Sequence, residues 1–104
     1  MNYKVSISEQ AEQDLNDIYS YIYYELKSKA SADRISLRLR YAMEVLSQMP
    51  KKFHLYPMEP WFSRGVRSVS VGNYVVFYLV NDADAVVLIT RIAYGKHNME
   101  KVLP

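Results

Sequence analysis

Between residues 67 and 97 the chain alternates apolar runs with short polar breaks, and the break at Gly72-Asn73 constrains the fold most. Glycine and asparagine tolerate positive φ, so a two-residue loop of this kind favours a tight hairpin between the β-branched and aromatic segments that flank it. A third apolar run ends in Arg91-Ile-Ala-Tyr94-Gly-Lys-His97. The segment from Arg67 to Lys101 therefore reads as a three-stranded antiparallel meander with a polar cluster at its exit. Any chemistry is to be sought at that end.

The preceding half has a different period. Residues 3–7 alternate enough for a short strand, and Ala11, Leu15, Ile18, Ile22 and Leu26 then recur at the spacing of one helix face. Ser6 has capping-box spacing to Glu9, and Ser8 is a second candidate for the start. Ser31 is suited to cap a second helix, on which Ile35, Leu39, Ala42, Leu46 and Met49 repeat the pattern until Pro50 stops it. The connection over residues 27–30 is short, so the helices are expected to pair as an antiparallel hairpin. Residues 51–64, with Pro57 and Pro60, read as an irregular excursion. The expected class is α+β in the order β-α-α-β-β-β, as one domain over residues 1–104, since 104 residues suffice for one core but not two.

Alternation also divides the central strand. Val75, Phe77 and Leu79 are expected to meet the helical hairpin, leaving Tyr74, Val76, Tyr78 and Val80 on the second face. That second face is apolar for one left to water. Either the tail or the 51–64 segment covers it, or a partner chain does, with the tyrosines as anchors. On the partner reading, Tyr78→Asp weakens binding more than it unfolds the domain. Trp61 is read either as a second anchor or as a plug for the end of the core. Tyr19 and Tyr23 border the buried helix stripe, whereas Tyr21 and Tyr24 fall further round, where they would suit a partner helix or a second copy.

Charge and composition exclude several classes. The net charge is only +2, but residues 1–33 carry three Lys against six acidic groups, while residues 34–80 carry seven Lys or Arg against two. A basic middle can mark contact with nucleic acid or an acidic protein; for Arg34, Arg38 and Arg40 a solvated helix face is the equal alternative. No cysteine is present, so a disulfide framework and a thiolate metal site are excluded. His54 and His97 lie far apart without carboxylates at ligand spacing, so no metal or other cofactor is expected. No apolar stretch approaches the roughly 20 residues that span a bilayer, and the N-terminus lacks a signal-peptide layout, so a cytoplasmic protein with no membrane partner is expected.

The order of elements, with Val71-Gly-Asn-Tyr-Val-Val-Phe-Tyr78 and Ile89-Thr-Arg-Ile-Ala-Tyr-Gly-Lys-His97, resembles the RelE/ParE superfamily of toxins from bacterial toxin-antitoxin modules, which are associated with plasmid stabilisation. Ser8-Glu-Gln-Ala-Glu-Gln-Asp-Leu15 is similar to the start of that family's first helix. The resemblance implies a growth-inhibiting toxin held inactive by a cognate antitoxin whose C-terminal segment wraps it, with a homodimer of the free toxin left open. RelE-like members cut messenger RNA on the ribosome; ParE-like members inhibit DNA gyrase. A metal-free ribonuclease needs a base, an acid and cations placed together. Where RelE-like enzymes carry a strand arginine, a second arginine and a tail tyrosine, this chain has Val75, His97 and Leu103. The ParE-like branch is accordingly favoured, with Trp61, Arg67, Tyr74, Tyr78, Arg91 and Lys96 as the surface for target or antitoxin, and no enzyme activity. On the RelE-like alternative Arg67, Arg91, Tyr94 and His97 would form the catalytic set, with the ribosome and its message as partners. A further alternative is an antitoxin-binding relative without toxicity.

Overall fold

Ser8, rather than Ser6, begins the first helix. Its hydroxyl oxygen accepts a hydrogen bond from the Ala11 N–H at 3.0 Å, and the same hydroxyl donates to the Thr90 carbonyl at 2.9 Å. The cap thus ties the helix to a strand more than eighty residues away. In the computed structural model, which describes residues 2–95 and Leu103, the elements are β1 (Lys4–Ile7), α1 (Glu9–Ser20), a π-helical turn (Tyr21–Glu25), α2 (Lys29–Gln48), β2 (Arg67–Val71), β3 (Tyr74–Asn81) and β4 (Val86–Tyr94). The second helix starts one turn earlier than expected, because Ser28 and not Ser31 accepts the capping bond.

The sheet has the order β1-β4-β3-β2. β2, β3 and β4 form the antiparallel meander, and β1 adds to β4 in parallel, from Lys4 opposite Val86 to Ile7 opposite Ile89. The N-terminal strand therefore makes the sheet mixed. At the Gly72-Asn73 turn only Gly72 has positive φ, +60°, which is the pattern of a II′ hairpin. A Cβ there would stand 3.1 Å from Arg38 Nη1, a side chain end that can move, so backbone strain decides the cost. Gly72→Ala is expected to lower the unfolding free energy by about 1–2 kcal/mol, read as a lower urea midpoint at unchanged slope. An unchanged midpoint would contradict it.

The two faces of β3 are the reverse of the expected ones. Val76 and Tyr78 point into the core between sheet and helices, with Leu39, Leu46, Val87 and Ile89. Phe77 points to the other face, beneath Trp61, Val66 and Leu103, with Val75, Leu79 and Tyr56 packed alongside. The strand does alternate, but both sets are apolar, so the pattern carries no sign for which set meets the helices. The outer face is indeed covered, by the 51–64 segment and by Leu103: the Tyr56 ring meets Phe77 edge-on at 5.2 Å, and Trp61 is 6% exposed. Tyr78 is 0% exposed and donates its hydroxyl to the Pro50 carbonyl at 3.0 Å. A partner cannot reach it, which corrects its expected role as a binding residue.

Candidate functional site

The end of the sheet beyond β1 is where the chain leaves polar groups to be satisfied by side chains. β1 stops opposite Ile89, so the β4 edge from Thr90 onward has no neighbouring strand on that side. Thr90 is also the extra residue of a bulge: Phe77 pairs with Arg91 and Tyr78 with Ile89, while the Thr90 hydroxyl donates to the Phe77 carbonyl. The bulge re-aims the strand just before Arg91. Asp14, on the inner side of α1, then fills the vacated edge position. Its carboxylate accepts from the Ile92 N–H at 2.9 Å, from Arg91 Nε at 2.8 Å and from Arg91 Nη2 at 3.1 Å. Such a two-pronged carboxylate pair fixes the guanidinium in orientation as well as position. The hydrogen bond to Asp14 raises the Arg91 pKa, against an opposing effect of burial.

Beside this pair opens a cleft of about 940 Å³ between the helical hairpin and the end of the meander. Its floor is aliphatic, from Ile18, Ile22, Ile35 and Ile92. Its rim carries Arg34 and Arg38 from α2, Asp17 from α1, and Asn73 from the hairpin turn. Arg34 and Arg38 are exposed and pair with no acidic group among the described residues. Tyr21, Tyr74 and Tyr94 complete the wall; Tyr74 and Tyr94 are cross-strand partners whose rings meet edge-on at 5.9 Å. Burial, with smaller contributions from Tyr94 and Tyr21, raises the Tyr74 phenol above its ordinary pKa. The π-helical turn shapes this wall. Its Leu26 N–H bonds to the Tyr21 carbonyl five residues back, and the extra residue in that turn leaves Tyr21 and Tyr24 exposed at the hairpin end.

The expected site residues are therefore divided. Tyr74, Arg91 and Tyr94 lie together on the cleft. Arg67 is not among the residues that line it; its guanidinium donates to the Phe53 carbonyl at 2.7 Å, so it braces the start of the 51–64 segment. Trp61 is buried on the opposite face of the sheet and Tyr78 is in the main core, so neither offers a contact surface. Lys96 and His97 lie outside the described residues. Two important groups escaped the sequence reading. Asp14 borders the apolar stripe at three residues from Ala11 and four from Ile18, and a carboxylate at such a place was a visible signal for a buried-side partner. From the sequence Arg34 and Arg38 read only as part of a basic middle or a solvated helix face, because nothing in it joins α2 to the distant Gly72 turn.

Among the described residues no group of His, Cys, Asp and Glu could hold a metal ion, and no helix is long and apolar enough to cross a membrane. No curated protein matches the sequence. The fold is similar to that of a chain in the chromosomal ParDE toxin-antitoxin system from P. aeruginosa, at 21% identity over 88% of this chain and 95% of that one, with a TM-score of 0.70. A chain of the RelBE2 toxin-antitoxin complex from Mycobacterium tuberculosis is 20% identical over 90% of this chain and 99% of that one, TM-score 0.65. A chain of the archaeal RelE-RelB complex from Pyrococcus horikoshii OT3 is 25% identical over 94% of this chain and all of that one, TM-score 0.56. The family model for the ParE toxin of the type II toxin-antitoxin system parDE matches residues 5–99. With strand, helical hairpin and meander in the same order as in these structures and nearly the whole length matched, the chain belongs to the ParE toxin family, within the RelE/ParE superfamily of type II toxins.

Proposed function

We propose that this toxin arrests growth by binding DNA gyrase in the cytoplasm and is neutralised there by a cognate antitoxin. The observation that carries the choice of gyrase over the ribosome is the placement of Val75 and Leu103. These residues stand where RNA-cleaving relatives are expected to hold an arginine and a tyrosine, and both pack against the apolar cluster on the outer face of the sheet. Neither can supply charge or a proton to a ribose-phosphate. Arg91, the remaining strand cation at the cleft, is held by Asp14, so its charge is already matched. An amphipathic cleft with fixed polar groups suits a protein surface. The similarity to chains from ParDE and RelBE complexes supports an antitoxin as the physiological partner. The purified full chain is expected to inhibit gyrase supercoiling in a concentration-dependent manner and to leave ribosome-bound message intact. Cleaved message with supercoiling unaffected would reverse the assignment.

A further inference from the structure

β2 is one edge of the sheet, and only part of that edge is covered. Leu55 bridges to Arg67, and the Ser68 N–H donates to the His54 carbonyl at 3.2 Å, so residues 54–56 run beside the start of the strand. They do not reach past it. Val71 and Tyr74 close the two-residue turn as a hydrogen-bonded pair, and the alternation of an antiparallel ladder then turns the Ser70 N–H and C=O away from β3. Ser70 is exposed, and among the described residues no group bonds to that outward pair. Such a piece of open edge is a template for another extended chain.

Along the open edge lies a groove of about 540 Å³ between β2 and the outer side of α2. Its wall is apolar, from Phe53 and from Leu37 and Tyr41, which are 66% and 70% exposed. A cation stands at each end. Arg38 reaches over the Gly72 turn, and the Lys52 ammonium lies 5.7 Å from the centre of the Phe53 ring. Both are exposed, neither has an ion-pair partner among the described residues, and no acidic residue lines the groove. Arg40 and Glu44, exposed on α2 outside the lining, are opposite in sign and leave that balance positive. We propose that this groove docks an extended segment of a partner protein, acidic at both ends and apolar at its centre, which adds to β2 opposite Ser70. Alternate side chains of an extended chain share one side, so the sequence that fits has an acid two positions before and two after a central apolar residue. The apolar residue packs on Leu37, Tyr41 and Phe53 while the acids meet Arg38 and Lys52. The open main-chain pair at Ser70 selects a strand over a helix, which has no backbone groups to offer along its length. Because the groove touches the cleft described above only through Arg38, the site stands apart from the reading of that cleft.

The probe is a dye-labelled peptide, Ser-Glu-Thr-Val-Thr-Glu-Ser, titrated with the purified full chain and followed by fluorescence anisotropy. Saturable binding that weakens as salt is raised is expected, with none for the same peptide carrying lysine in place of glutamate. Lys52→Glu turns an attraction into a repulsion, and Ser70→Pro removes the outward N–H; each is expected to raise the dissociation constant about tenfold. Proline is tolerated at a strand edge that faces away from its neighbour, and the thermal midpoint shows whether Ser70→Pro folds. Lys52→Glu, at an exposed position, carries the test if it does not. Absence of saturable binding would overturn the site, as would equal affinity for the lysine peptide or unchanged affinity in Lys52→Glu. A single-stranded DNA oligonucleotide that binds the native chain and Ser70→Pro equally, and displaces the peptide from both, would mark a polyanion surface and overturn it too.

Discussion

Tyr78→Ala is expected to cost about 3–5 kcal/mol of folding stability, in the range seen when a large aromatic is cut from a packed core. Tyr78 is fully buried between the sheet and α2, in contact with the main apolar cluster, so truncation opens a cavity that rigid strands cannot collapse around. Its hydroxyl also satisfies the Pro50 carbonyl just beyond the end of α2. Tyr78→Phe keeps the ring and loses that bond, which is expected to cost about 1–2 kcal/mol. Burial pushes the Tyr78 phenol up to about 12, against a smaller lowering by Arg67. The folded state therefore holds this proton more tightly than the unfolded chain does. The contribution is therefore complete below about pH 10 and is lost as pH rises toward about 12. Denaturant titration at neutral and alkaline pH should show Tyr78→Phe losing less stability above pH ~10 than the native chain does. Equal alkaline loss in both proteins, or a Tyr78→Ala variant as stable as the native chain, would show that the residue is not in the core.

The second large effect is expected at Asp14. Removing this carboxylate takes the Asp14 charge and both of its hydrogen bonds away from the Arg91 guanidinium, and leaves the Ile92 N–H without its acceptor at a strand edge that β1 does not reach. Breaking one partner of a well-buried pair costs about 3–5 kcal/mol; with the Arg91 side chain 24% and the Asp14 side chain 13% exposed, about 2–3 kcal/mol is expected for Asp14→Ala. Asp14→Asn retains an oxygen for Ile92 and should recover part of the loss. Urea midpoints of the two variants test the order, with Asp14→Ala below Asp14→Asn and both below the native chain. Hydrogen exchange adds a local readout: the Ile92 amide should lose protection selectively in Asp14→Ala. If the Ile92 amide exchanges at the native rate, Asp14 is not the group that closes the strand edge.

Local signals in the sequence were enough for the elements, and insufficient for their mutual sides. The Gly72-Asn73 turn, the spacing from Ala11 to Ile22 and the stop at Pro50 each act within a few residues, and each element they imply is present. The choice of sheet face for Tyr78 depends on which of two equally apolar sets meets the helices, a relation between segments thirty residues apart. The same holds for Asp14. Its neighbours in sequence mark a carboxylate at the border of an apolar stripe, but its partners lie more than seventy residues away, in a strand bent by the Thr90 bulge. Arg91, Tyr74 and Tyr94 could be placed near one another from the meander alone, because cross-strand register is local once the turn is known. Arg34 and Arg38 reach the cleft only through the packing of α2 against that turn.

Arg67 and Arg91 show how residue type alone misleads. Both were candidates to grip a phosphate, and both are engaged within the fold, one by a backbone carbonyl and one by a carboxylate. The cleft that remains has an aliphatic floor and charges of both signs on its rim, which is the composition of a protein-binding site more than that of a phosphate channel.

The most direct test of the proposed target is induction of the chain alone in a bacterial host, following DNA supercoiling and protein synthesis in parallel from the first minutes. Gyrase binding predicts early loss of negative supercoiling while translation continues. An early collapse of translation with cleaved messages, before any change in supercoiling, would contradict it.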